Sequence, residues 1–102
     1  MSKLQKLMDE RRPWAEKVFA GQTINGILEH LLAEVQELID NPEDDEEAAD
    51  CLLLLAGYWD KRGKTADELL DASFDKLAVC QERSWNERNE KGYSQHADPP
   101  RK

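Results

Sequence analysis

The sequence is poor in the residues that build disulfide scaffolds and zinc sites. It has two cysteines and two histidines among 102 residues, and neither Cys51 nor Cys80 belongs to a CxxC or Cys/His motif. Its longest unbroken apolar run, residues 51–56, is far shorter than a membrane span. The first residues contain no apolar stretch typical of a secretory signal. We therefore expect free thiols, a reducing cytoplasm as the compartment, and no membrane partner.

The sequence also lacks an excess of basic residues. It has 14 Lys and Arg against 22 Asp and Glu, which leaves a formal net charge of −8. Proteins that bind nucleic acid polymers depend on surplus basic side chains to neutralise phosphates, so we expect no such partner. A smaller, highly anionic ligand would need a local basic patch or a bridging cation.

Prolines and glycines, which interrupt helices, number only four and five. Hydrophobic periodicity predicts an all-α antiparallel bundle of about four helices, in which residues 1–91 form one domain and 92–102 a disordered tail. The helices are expected at 3–20 with a break at Pro13, at 26–40, at 42–61, and from the capping box Thr65–Glu68 to about Glu90. The third helix is apolar almost all round, so a homo-oligomer, a dimer or larger such as a tetramer, should complete the core.

Acidic residues on the second and third helices form the strongest chemical pattern. His30, Glu34 and Glu37 follow i, i+4, i+7 spacing and share one ridge, while Glu47 and Asp50 are i, i+3 on the next helix. A very short connection should place the two carboxylate pairs near each other. Four carboxylates without thiolate or histidine ligands suit Mg²⁺, with Mn²⁺ as a substitute, and do not suit zinc.

Two other groups of charged residues have alternative interpretations. The acidic residues 43–45 are best explained by the positive end of the helix dipole. Lys76 and Arg83 share a ridge with Cys80 on the fourth helix. They form either a solvated salt-bridging face or the cations that a triphosphate requires. Residues 3–20 show no recognisable chemistry.

The segments HLLAEVQEL, EEAADCLLLLAGY and KLAVCQERSW together resemble the MazG-like all-α nucleoside triphosphate pyrophosphatases, in particular the dATP/dGTP diphosphohydrolase branch that includes phage enzymes. The resemblance covers about residues 14–88. It implies that Mg²⁺ is bound by Glu34, Glu37, Glu47 and Asp50, and that Lys76 and Arg83 contact the phosphates. Cys80 stands where the family pattern usually has asparagine.

The resemblance implies Mg²⁺-dependent hydrolysis of a (deoxy)nucleoside triphosphate, of the dATP/dGTP purine type, to the monophosphate and pyrophosphate. Glu34 or Glu37 would accept the proton of the attacking water. His30 either contacts the nucleotide or a metal ligand, or is an ordinary half-exposed residue. The base pocket could be lined by any of four aromatic residues, namely Trp14, Phe19, Trp59 and Trp85. The alternative function is a non-catalytic helical homodimer that acts as an adaptor.

Overall fold

The computed structural model describes residues 2–97, which fold into four α-helices. These are α1 (Lys3–Val18), α2 (Ile24–Asp40), α3 (Asp45–Lys61) and α4 (Ala66–Glu82). The only strand-like pairing within the described residues is an isolated bridge between Trp85 and His96. The predicted all-α class with four helices is therefore confirmed. The chain divides into two compact units between Leu69 and Leu70. No helix within residues 2–97 has the length and apolar character needed to cross a membrane.

Helix α1 is continuous, although the sequence predicted a break at Pro13. Proline removes one backbone hydrogen bond from a helix interior and usually kinks or ends it. Here tertiary contacts hold both sides of that position, since Met8 and Ala15 are buried and Arg12 bonds to α3. Packing therefore overrides the local preference. At the N-terminus of α1, the Ser2 hydroxyl caps the helix by accepting the Gln5 N–H at 3.0 Å.

The connection between α2 and α3 is short, and α3 begins at Asp45, later than the predicted residue 42. Asn41 ends α2 by donating its N–H to the Glu37 carbonyl at 3.0 Å. The N-cap of α3 is Asp44, whose carboxylate accepts the N–H groups of Glu46 at 3.0 Å and Glu47 at 3.2 Å. An anionic cap at a helix N-terminus also meets the positive end of the dipole, as expected for the acidic residues 43–45.

The first unit is built on α3, which packs against both α1 and α2. Its most buried cluster joins Met8 of α1, Ala56 of α3 and Ala66 at the start of α4. Two polar contacts close this core. The Ala66 N–H donates to the Gln5 side-chain carbonyl at 2.7 Å, and the Trp59 indole N–H donates to the Thr65 carbonyl at 2.8 Å. Small residues at 56 and 66 let the backbones approach closely enough for these bonds.

Helix α4 begins at the predicted capping box. The Thr65 N–H donates to the Glu68 carboxylate at 3.0 Å, and the Glu68 N–H donates to the Thr65 hydroxyl at 3.3 Å. The helix ends at Glu82 and not near Glu90. The Trp85 indole N–H turns back to the Cys80 carbonyl at 2.9 Å, which satisfies one of the last carbonyls of the helix.

In the second unit the chain after α4 turns back on itself. The Asn86 N–H donates to the Gln95 carbonyl at 2.9 Å, and the Ala97 N–H donates to the Ser84 carbonyl at 2.8 Å. Ala97 is consequently buried. The predicted division into a domain at 1–91 and a disordered tail at 92–102 stays a prediction, and its residues 98–102 lie outside the described part of the chain.

Candidate metal centre

Three of the four predicted metal ligands converge at the α2–α3 pair. Glu34 and Glu37 on α2 and Glu47 on α3 each offer a carboxylate oxygen, and these oxygens all lie within 4.8 Å of one another. The short connection at 41–44 holds the two helices side by side, and the i, i+3 spacing puts Glu34 and Glu37 on adjacent turns. Glu34 and Glu47 are half-buried, whereas Glu37 is exposed. The prediction that these carboxylates approach each other is therefore met by the geometry.

The carboxylates of this cluster have little positive charge near them, and the pKa values of Glu34 and Glu47 are both shifted. Hydrogen bonding to Glu34, together with burial and the proximity of Glu37, raises the pKa of Glu47 to about 7. The same contact with Glu47, supported by Glu37 and His30, lowers the pKa of Glu34. A proton bound by this pair is therefore held by Glu47 in preference to Glu34. Meanwhile the Glu47 Oε2 atom is buried without a hydrogen-bond partner among the described residues, which marks a place where a cation would be stabilised.

His30 connects the carboxylates to an aromatic side chain. Its Nε2 atom lies 3.2 Å from Glu34 Oε1, as the i, i+4 spacing predicts. Its ring meets the ring of Phe19 edge-on, with centroids 6.3 Å apart. His30 therefore orients Glu34 and fixes the position of Phe19 relative to the cluster.

Asp50 lies one turn beyond Glu47 and is half-buried, but it is not part of the three-residue group within 4.8 Å. It does face the same region. Burial raises the pKa of the Cys51 thiol, and the negative charges of Glu34, Glu47 and Asp50 raise it further. All three carboxylates thus act on one thiol. Asp50 as a fourth metal ligand stays a prediction.

The predicted phosphate-binding cations belong to the second unit. Lys76 is exposed on α4, and Arg83 lies one residue beyond the end of that helix. The Arg83 N–H donates to the Cys80 carbonyl at 3.3 Å. The helical ridge that the sequence predicted for Lys76, Cys80 and Arg83 therefore ends at Cys80. The roles of both cations stay predictions.

A cavity of about 410 Å³ in the first unit was not expected from the sequence. It lies between the second half of α1, the segment that leads into α2, and the C-terminal half of α3. Phe19 is part of its wall, so the cavity and the carboxylates adjoin through Phe19 and His30. Arg11 and Arg12 also line it. They fall in the segment where the sequence showed no chemistry, and no local pattern marked them.

Arg12 lines this cavity and is bonded to two carboxylates. Its Nε and Nη2 atoms donate to Asp60 at 2.9 and 2.7 Å, and Nη2 also donates to Asp9 at 2.9 Å. These bonds raise the pKa of the Arg12 guanidinium. The hydrogen bond from Gln5, followed by that from Arg12, lowers the pKa of the Asp9 carboxyl. The bidentate pair joins α1 to α3 and fixes this wall of the cavity.

Comparison with known proteins gives a family match for the sequence and a similar solved structure. The family profile described as dATP/dGTP pyrophosphohydrolase matches residues 7–100. Among solved structures, the chain is similar to a cyanophage S-2L MazG-like pyrophosphohydrolase bound to dGDP and three catalytic Mn²⁺ ions per active site. The two share 28% sequence identity with a TM-score of 0.78 over 95% of this chain and 99% of that one. Comparison with curated proteins finds no match. The family profile spans nearly the whole sequence, and the chain therefore belongs to the dATP/dGTP pyrophosphohydrolase family.

Proposed function

We propose that this chain hydrolyses a purine deoxynucleoside triphosphate to the monophosphate and pyrophosphate, with Mg²⁺ or Mn²⁺ bound at the α2–α3 carboxylates. The observation that carries the proposal is the cluster of Glu34, Glu37 and Glu47, with one buried carboxylate oxygen left unpartnered. Membership of the pyrophosphohydrolase family supports the reaction class. The cyanophage protein, which is bound to dGDP and Mn²⁺, supports the ligands.

The residues present fit a hard divalent cation. The cluster offers only carboxylate oxygens, which Mg²⁺ and Mn²⁺ prefer, and the half-buried Asp50, one turn after Glu47, is a candidate for a further ligand. A cation would also compete with a proton at Glu47, whose pKa is raised to about 7 by the contact with Glu34. When bound, such ions neutralise phosphate charge and acidify a coordinated water.

The protein's own groups then have distinct tasks in the hydrolysis. A water oxygen forms a bond to the α-phosphorus, and the bond from that phosphorus to the α,β-bridging oxygen breaks to release pyrophosphate. The water proton passes to a carboxylate, either Glu34, which His30 orients, or the exposed Glu37. Lys76 and Arg83 are proposed to neutralise the charge that develops on the leaving pyrophosphate.

We also infer that the protein works as a homo-oligomer, because α2 carries an apolar stripe that is exposed in the single chain. Leu28, Leu32 and Ile39 lie within about 40° of one another around a helix of 3.6 residues per turn. Leu32 and Ile39 are each 63% exposed in the single chain. An apolar stripe of this kind is typical of a protein–protein interface.

The reaction is tested by product analysis. Purified protein is incubated with each common NTP and dNTP, in Mg²⁺ and in EDTA, and the products are separated by ion-exchange chromatography. We expect monophosphate and pyrophosphate in Mg²⁺ only, with purine deoxynucleotides hydrolysed fastest. Release of diphosphate and phosphate would show that cleavage occurs at a different bond. A well-folded protein without turnover would favour the adaptor function.

The metal site is tested by Glu47→Gln, which keeps the shape of the side chain and removes its charge. We expect turnover to fall by at least about 100-fold, because even residues that only support metal ligands cost 10- to 100-fold. The matched control is Glu46→Gln at the neighbouring exposed position, which should keep full activity. Circular dichroism checks that both variants fold. Equal activity of the two variants would exclude Glu47 as a ligand.

A further inference from the structure

Arg11 is held against the backbone of α3 at Gly57. A Cβ atom at position 57 would overlap the Arg11 guanidinium, so only glycine leaves the space that this side chain occupies. The overlap involves the far end of a flexible side chain. An alanine at position 57 would therefore move the guanidinium without forcing the helix backbone to shift.

The Arg11 guanidinium is half-buried, and its donors remain open to a ligand in the cavity. Burial lowers its pKa, and the negative charge of Asp60 only partly offsets this effect. Asp60 is already bonded by Arg12 through two of its donors. Within residues 2–97, no carboxylate forms an ion pair with Arg11. A cavity-lining guanidinium without such a pair can donate to a ligand that brings hydrogen-bond acceptors.

The cavity that Arg11 lines has the size and surroundings of a nucleobase site. Its volume of about 410 Å³ is in the range of small-molecule pockets. Its wall combines the apolar Phe19 and Ile27 with Arg11, and Phe19 contacts the ring of His30, which is bonded to Glu34. A ligand with its phosphates at the carboxylate cluster would thus have this cavity within reach of its base.

We propose that this cavity receives the purine base of the nucleotide and that Arg11 makes it selective for guanine over adenine. The inference rests on the proposed function, whose phosphate and metal sites it leaves unchanged. Guanine presents two acceptors, O6 and N7, on one edge, and an arginine donates to both at once. Adenine has an amino group in place of O6, so its donor would meet the donors of Arg11. Arg11 is therefore a specificity-determining residue.

The test measures binding without turnover, by calorimetry in Mg²⁺ with the α,β-imido analogues of dGTP, dATP and dITP. Wild-type protein should bind the guanine analogue about ten- to a hundredfold more tightly than the adenine analogue, which is the discrimination that a bidentate arginine supplies. The dITP analogue, which has the same O6 and N7 edge, should bind like the guanine analogue. Arg11→Met and Gly57→Ala should each bring the guanine-to-adenine ratio close to one.

The matched control is Arg62→Met. Arg62 has the same charge but lies over the rings of Tyr58 and Trp59, outside the cavity lining, so this variant should keep the preference. Inorganic triphosphate serves as a probe for the phosphate site, and its affinity should be unaffected by Arg11→Met. The proposal would be overturned by equal binding of both bases by wild type or by an unchanged preference in Arg11→Met. It would also be overturned by a dITP analogue that behaves like the adenine one, or by a parallel loss of triphosphate affinity in Arg11→Met. If wild-type protein discriminates between the bases but hydrolyses none of the nucleotides, the proposed reaction is contradicted and the base site is not.

Discussion

At the scale of single residues, the raised pKa of Glu47 makes the metal-free protein sensitive to pH. The pKa of Glu47 is raised from 4.5 to about 7, so between these values the folded state binds more protons than the unfolded state. The free energy of unfolding should therefore fall as pH rises through this window. The pKa of Glu34 is lowered, so its own contribution is lost only as pH falls below its ordinary value of 4.5.

The measurement is the thermal midpoint of EDTA-treated protein from pH 5 to pH 8. Wild type should lose stability over this range, while Glu47→Gln, which cannot titrate, should show a flatter profile. Added Mn²⁺ should stabilise wild type more at pH 8 than at pH 6, because bound metal must displace the proton. Identical profiles for the two proteins would mean that another group dominates this pH range.

Spacing along the helices predicted the carboxylate cluster but not the proposed role of Arg11. Glu34, Glu37 and Glu47 lie on two helices joined by a short connection, so local periodicity and loop length are enough to bring them together. Arg11 depends on Gly57, which is far away in the sequence, and on Arg12 occupying Asp60. Neither condition leaves a local pattern. The buried oxygen of Glu47 likewise appears only once the two helices are packed.

At the scale of helices, the bidentate pair between Arg12 and Asp60 joins α1 to α3. The Asp60 side chain is 13% exposed and that of Arg12 is 41% exposed, so solvent screens the pair only partly. Asp60→Asn should lower the free energy of unfolding by about 1–2 kcal/mol, because hydrogen bonds to charged groups contribute about that much. Urea denaturation measures the change.

The control for that variant is Asp71→Asn at an exposed position of α4, which should change stability by less than about 0.5 kcal/mol. An equal effect of the two substitutions would mean that the α1–α3 pair contributes nothing beyond surface charge.

The start of α4 depends on its reciprocal cap. Thr65→Ala should destabilise the protein by about 1 kcal/mol, since it removes the hydroxyl that accepts the Glu68 N–H. Thr65→Ser keeps this hydroxyl and should behave like wild type in the same urea titration. If Ser and Ala at this position were equally stable, the cap would not determine where the helix begins.

Helix boundaries followed the sequence where side chains cap the backbone locally. The Thr65–Glu68 box was recognisable because both partners lie within four residues. Elsewhere the predicted boundaries were wrong, including the start of α3, which begins at Asp45. Pro13 stays inside α1, where packing holds both flanks, and α4 stops at Glu82, where the Trp85 indole turns back to the helix.

At the scale of the whole molecule, the exposed apolar stripe of α2 should control assembly. Light scattering should give a mass that is a multiple of 11.7 kDa. Leu32→Glu should lower that mass, because it places a charge in the centre of the stripe. Val18→Glu, at a residue of α1 that is 54% exposed, is the control and should leave the mass unchanged. A wild-type protein of monomer mass would contradict the proposed oligomer.

The amino-acid composition predicted properties of the whole chain, but not the contacts between its helices. Few prolines and glycines predicted the helical class, and the acidic charge argued against a nucleic acid polymer as partner. Neither property describes where a cavity forms between helices, because the volume between packed helices depends on side chains that are remote in sequence. The 410 Å³ cavity could therefore not be anticipated from sequence patterns.

The close approach of Arg11 to Gly57 has a consequence for how sequences of this fold can diverge. A larger residue at position 57 removes the place that the guanidinium occupies, so the benefit of arginine at position 11 depends on glycine at position 57. If one of these two positions changes first, the resulting protein has an altered base preference. The other position can then change without a further effect on base preference. The two positions should therefore evolve as a pair, and a switch in nucleotide preference within this family can begin on α3, at a residue with no side chain of its own.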